Sequence, residues 1–160
     1  MAYMIRLNWL RATAYTVIAL QALWLAGCGT PQPTEQAIIK AIQEMAEGIE
    51  QRDSAAVAEH LHGDLQINES NHGSLDLDQA RRIMTATFFR HRNISVTLTN
   101  IQVTPDSIRE DLASAQFNAL VAGGSGGILP DRAQLYRVES QWLNDGDWKL
   151  INLQAKRALE

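Results

Sequence analysis

Cysteine occurs once in these 160 residues, at position 28. No disulfide can therefore form within the chain, and beyond that position no thiol is available as a nucleophile. Acidic residues are missing altogether from positions 1 to 27, which nevertheless hold Arg6 and Arg11. An excess of basic residues is missing too. The 14 Lys and Arg stand against 18 Asp and Glu, a net charge of −4, where a nucleic-acid partner calls for a basic face. Metal-binding spacings such as HExxH do not occur. The run Gly123-Gly124-Ser125-Gly126-Gly127 is not followed by Lys-Ser or Lys-Thr and lacks a strand-to-helix context, so it is no phosphate loop. It is expected to form a flexible hairpin connection or a cavity rim. No repeat, long linker or low-complexity tract interrupts the chain. Nucleic acid, metal and cofactor are accordingly not expected.

What the first segment does contain is ordered. Arg6 and Arg11 precede a mostly apolar stretch from Ala12 to Ala26, broken by little more than Thr13, Thr16 and Gln21. Small residues then lead to Cys28. Charge, apolar run and small residues are the three parts of an export signal. The apolar run is short for a bilayer span, which needs about 20 residues.

The closing Leu25-Ala26-Gly27-Cys28 resembles the bacterial lipobox. That resemblance implies cleavage between Gly27 and Cys28, and acylation of Cys28 as the new N-terminus. It also accounts for a lone cysteine in an exported chain. The organisation expected is a signal over 1–27, a lipidated Cys28 and tether over 28–33, and one domain over 34–160. Losing two cations and no acid, the mature chain would carry −6. At that charge it offers no polybasic patch for anionic headgroups, and the lipid must hold it at the membrane. Gly29, where an Asp would be the common inner-membrane retention signal, implies an outer-membrane address facing the periplasm in a Gram-negative host.

Beyond the tether, Ile38, Ile42, Met45 and Ile49 recur at helical spacing, predicting an amphipathic helix over Thr34 to Arg52. Thr34 is suited to cap it, and Gly48 weakens it slightly. Asp53-Ser54 opens a short helix to about Leu61, ended by Gly63. Leu65 and Ile67 suggest a short strand, and residues 68–74 a turn. Asp76 or Asp78 caps a helix to Arg90 that carries Ala80, Ile83, Met84, Thr87 and Phe88 inward.

From Asn93 the period becomes two. Strands are expected over 94–104, 112–122, 133–143 and 148–155, with a bulge near Thr99-Asn100, where the parity of apolar residues slips. Asp145-Gly146 is a hairpin signal. Early helices and a late antiparallel meander read as α+β.

The helix order, Ile49-x-x-Arg52-Asp53-Ser54 and the closing Trp142-Leu143-Asn144-Asp145-Gly146-Asp147-Trp148-Lys149-Leu150 resemble the NTF2-like (SnoaL-like) superfamily. A cystatin-like fold is the neighbouring alternative. The resemblance implies a cone, with N-terminal helices packed on the concave face of a curved, mainly antiparallel sheet. It leaves activity open, because the superfamily holds enzymes and binding modules alike.

Candidate chemistry divides accordingly. The isomerase-type oxyanion hole of that superfamily needs a Tyr on the first helix, and Thr34 to Arg52 has none. Asp64 could serve as a base but reads better as a solvated turn residue. His60, His62 and His72, completed by Asp64 or Glu69, would suit zinc only with His60 and His62 on one strand face. His91 reads as a surface histidine at a helix end. Phe88, Phe117, Tyr136, Trp142 and Trp148, with Asn118 or Gln141 at the edge, line a pocket or fill the core. The function expected is a membrane-anchored envelope module that binds a small apolar ligand or an envelope protein, with a homodimer allowed. The alternative is a small isomerase-, dehydratase- or hydrolase-like enzyme using Asp64 and a histidine.

Overall fold

The computed structural model describes residues 34–69, 73–124 and 132–158. The signal 1–27, Cys28 and the tether 29–33 lie outside the described residues, as do His72 and positions 125–131 of the glycine-rich connection.

The elements run α1 (Thr34–Gln51), α2 (Ser54–Glu59), β1 (Leu61–Glu69), β2 (Gly73–Asp76), α3 (Leu77–Arg90), β3 (Asn93–Pro105), β4 (Leu112–Gly124), β5 (Arg132–Asn144) and β6 (Trp148–Arg157). α1 buries Ile38, Ala41, Ile42 and Ala46, one stripe of its surface. It stops at a left-handed residue, Arg52 with φ 58°. There the Arg52 and Asp53 N–H groups donate to the Ile49 and Gly48 carbonyls at 3.1 and 2.8 Å, a Schellman closure that satisfies carbonyls left over at the helix end. Asp53 then caps α2, accepting from the Ala55 and Ala56 N–H groups. Asp76 caps α3 in a reciprocal box with Gln79, at 2.8 and 2.9 Å.

One six-stranded sheet has the order β2-β1-β6-β5-β4-β3. β3 to β6 form the expected antiparallel meander. β1 joins it parallel to β6 and pairs antiparallel with β2, so the sheet is mixed. Its curvature has two local sources. The β3–β4 register slips between Thr99 and Gln102, with Asn100 at φ 55°, where the parity change predicted a bulge. The β5–β6 register slips between Gln141 and Trp142, a second irregularity that apolar parity did not reveal.

Around Gly63 the expected boundaries were wrong. α2 ends at Glu59, β1 begins at Leu61, and Gly63 lies within the strand. The Leu150 N–H donates to the His60 carbonyl at 2.8 Å, so pairing with β6 captures the chain before Gly63 can act as a stop. The expected turn over 68–74 is partly strand: Asn68 pairs with Ser74 and Glu69 with Gly73.

The core gathers Ile38, Ala41 and Ile42 of α1 with Leu65, Ala113, Ala115, Trp142 and Leu150 of the sheet. α3 contributes less than expected. Leu77 and Ala80 pack against this core, but no α3 residue is fully buried. Ile83, expected inside, is 52% exposed. α3 packs mainly against β1, β2 and the short α2, and Ile83 flanks the stripe that faces them.

Candidate functional site

β-strand alternation puts Phe117, Ala119 and Val121 of β4 on the concave face beside Tyr136, Val138, Ser140 and Trp142 of β5. The C-terminal half of α1 roofs them with Ile42, Met45, Ala46 and Ile49. Roof and sheet leave a cavity of about 330 Å³ between them, partly open to solvent. That volume lies within the range of small-molecule sites. Glu50 fixes the roof: its carboxylate accepts the Val96 N–H of edge strand β3 at 2.7 Å.

Uncharged residues make up the lining, and its polar side chains are already occupied. Ser140 donates to the Ala115 carbonyl at 3.1 Å and accepts the Trp142 indole N–H at 3.0 Å. Tyr136 donates its hydroxyl to Gln134. A bound molecule would meet hydrocarbon and aromatic faces, with no acid, base or fixed charge directed at it.

The five aromatics singled out in the sequence separate. Phe117, Tyr136 and Trp142 line the cavity. Phe88 lies in an adjoining cleft of about 310 Å³ that also holds His91 and shares Ile49, Val121 and Tyr136 with the cavity. Trp148 packs on the core outside the lining. Asn118 and Gln141 have the opposite strand parity and do not edge the cavity. Sequence reasoning passed over Ser140, although a serine at an apolar-parity position between Val138 and Trp142 was a usable sign. The α1 roof residues were read only as a packing stripe.

The titratable candidates lie elsewhere. The Asp64 side chain is 94% exposed. His62 and Asp64 are both in β1, but the His62 Nδ1 accepts the Asp64 backbone N–H at 3.1 Å. Its Nε2 lies 3.5 Å from Asp145 Oδ2 and its Nδ1 3.7 Å from Asp64 Oδ2. His60 caps α2 and faces Glu44 of α1 at 3.5 Å. The two histidines thus have different carboxylate neighbours, and among the described residues no group of three or more His, Cys, Asp or Glu could hold a metal. His91 caps α3, with its N–H on the Thr87 carbonyl at 2.9 Å.

No protein-family model matches the chain, and no curated protein matches it in sequence. Its architecture does have counterparts. A candidate scytalone dehydratase from Novosphingobium aromaticivorans superposes with a TM-score of 0.68 at 17% identity, over 78% of this chain and 83% of that one. A candidate dehydratase of the NTF2-like family from Streptomyces avermitilis gives 0.68 at 17% identity, over 82% and 100%. A hexachlorocyclohexane dehydrochlorinase from Novosphingobium barchaimii gives 0.62 at 17% identity, over 78% and 86%. At such identities the likeness carries the fold alone. With its curved mixed sheet and its roofing helix, this chain is built as an NTF2-like cone.

Proposed function

We propose that this chain is an envelope lipoprotein, held at a bacterial membrane through acyl chains on Cys28, whose domain binds a small apolar molecule in the cavity beneath α1. One observation carries the binding reading: the cavity is of ligand size, and its lining combines aromatic and aliphatic surface with polar groups already paired inside the protein. The Leu25-to-Cys28 pattern supports the anchor. The competing enzyme would need Asp64 and a histidine to converge on a bound molecule. Asp64 points into solvent, neither His60 nor His62 lines the cavity, and His91 borders only the adjoining cleft.

Titration of the purified chain with N-phenyl-1-naphthylamine, an apolar fluorescent probe, tests the binding reading. Saturable binding that quenches tryptophan emission and weakens at least about tenfold in Ala119→Phe is expected, since the new ring occupies the space the probe needs. Unsaturable binding, or equal binding by the filled variant with its fold intact, would refute it.

A further inference from the structure

The outer face of α3 is at odds with the rest of the chain. Arg81, Thr85 and Phe89 form one i, i+4 row and Arg82, Ala86 and Arg90 the next, and together they line a shallow surface groove. All six are exposed. Phe89 is 90% exposed and Ile83 beside them 52%. An aromatic ring so fully in water on an ordered helix calls for an account. The single acid of α3 is Asp78, in its first turn. Between Asp78 and Asp106 the sequence has no acid at all, while Arg81, Arg82, Arg90 and Arg92 fall within it. Net charge, averaged over the chain, does not show this local segregation of arginines.

We propose that this face of α3 docks on an anionic phospholipid surface, with Phe89 entering the headgroup region and Arg81, Arg82 and Arg90 on lipid phosphates. Guanidinium groups pair well with phosphate. On this face Phe89 can enter the headgroup boundary while the arginines beside it stay at phosphate level and are drawn to anionic lipid. The inference rests on the proposed anchor for one thing only, proximity. Six chain steps separate Cys28 from Thr34, at most about 20 Å when extended. The lipid thus holds the domain where a weak electrostatic contact is enough to orient it, and attraction to anionic headgroups acts only within about a Debye length.

The test uses the mature lipoprotein reconstituted in vesicles. Phe89→Cys, labelled with an environment-sensitive nitrobenzoxadiazole, reports whether this position leaves water. Ile108→Cys, likewise labelled in a residue 91% exposed on the β3–β4 connection, is the control. A thioether-linked Cys28 does not take the label, so labelling of the parent chain exposes a failed anchor separately. On phosphatidylcholine vesicles containing about one third phosphatidylglycerol, the emission at position 89 is expected to shift to the blue and brighten several-fold. The shift should be small on phosphatidylcholine alone and absent at position 108. It should disappear at about 1 M NaCl, where the Debye length is about 3 Å, and in the same reporter carrying Arg81→Gln, Arg82→Gln and Arg90→Gln. Equal emission on the two vesicles would overturn the docking face while leaving the anchor standing, and so would an equal shift at 108. A shift in detergent that grows with protein concentration would overturn it in favour of a second copy of this chain. A parent chain that takes the label and floats with neither vesicle would overturn docking and anchor together.

Discussion

Trp142 donates its indole N–H to the hydroxyl of Ser140, two residues earlier on the same strand face, at 3.0 Å. The serine hydroxyl in turn donates a hydrogen bond to the Ala115 carbonyl of β4 at 3.1 Å. Trp142 is 1% exposed and Ser140 4%, so neither group has water as a substitute. The pair lets the largest side chain of the core serve as a cavity wall without leaving a polar atom unsatisfied.

Ser140→Ala removes both bonds and strands the indole N–H in an apolar site. A loss of about 1–3 kcal/mol is expected, read as a lower urea midpoint with an unchanged slope. A midpoint equal to that of the parent would show that the network contributes nothing.

Gly48→Ala sets two effects against each other. Alanine favours a helix over glycine by about 1 kcal/mol. The added methyl, however, would stand 2.9 Å from Val57 Cγ2 and 3.3 Å from the Val57 backbone nitrogen. Val57 is 4% exposed and β-branched, so it cannot swing aside. Overpacking costs about 1–3 kcal/mol and should win, leaving the variant less stable by about 1 kcal/mol. Calorimetry showing a raised melting temperature would reverse that ranking.

The connection between β3 and β4 should loosen in acid. Backbone N–H groups of Arg109 and Ile108 bond to Asp106 and hold its carboxyl below the usual value of 3.8. The Arg109 guanidinium does the same to Asp111 through a side-chain hydrogen bond. A carboxyl with a depressed folded pKa favours the folded form above its unfolded pKa. That contribution fades as pH falls through the folded value. Carbon-detected NMR titration should give midpoints for both groups below those of the denatured chain, with amide-exchange protection at 106–112, relative to intrinsic rates, lost in acid before that of the core. Midpoints at the ordinary value would contradict this.

Asp64→Asn combined with His62→Gln should leave binding of the naphthylamine probe within about twofold of the parent, because neither side chain lines the cavity. Any loss should appear as stability, typically within about 0.5 kcal/mol for an exposed position such as Asp64. A tenfold fall in binding with the fold intact would revive a role for that pair at the site.

For the anchor, Cys28→Ser is expected to accumulate as unlipidated precursor, while the parent partitions into the detergent phase. In a Gram-negative host the parent should fractionate with outer-membrane markers and Gly29→Asp with inner-membrane markers. Processing of the serine variant at the parental rate, seen as equal mobility on a gel, would rule out the lipobox reading.

Local sequence determined a good deal of this protein. The 3.6-residue period of Ile38, Ile42, Met45 and Ile49 marked α1, and the change to a period of two at Asn93 marked the meander. The parity slip after Leu98 located the bulge at Asn100. These are short-range patterns, since one buried face imposes its spacing on its own element. The tertiary structure alone decided the rest. The parallel pairing of β1 with β6 joins residues about ninety positions apart, and no turn signal announces such a contact. Whether an inward aromatic fills space or borders it depends on how far the roof stands from the sheet. The sequence does not show where α1 lies over the sheet, and in the structure Trp142 is a cavity wall while Trp148 packs outside the lining. On α3 the sequence already turned Ala80 inward, but only packing showed that Ile83 stays outside beside Phe89. Composition counts charges, whereas a surface depends on which side of a helix the core has claimed.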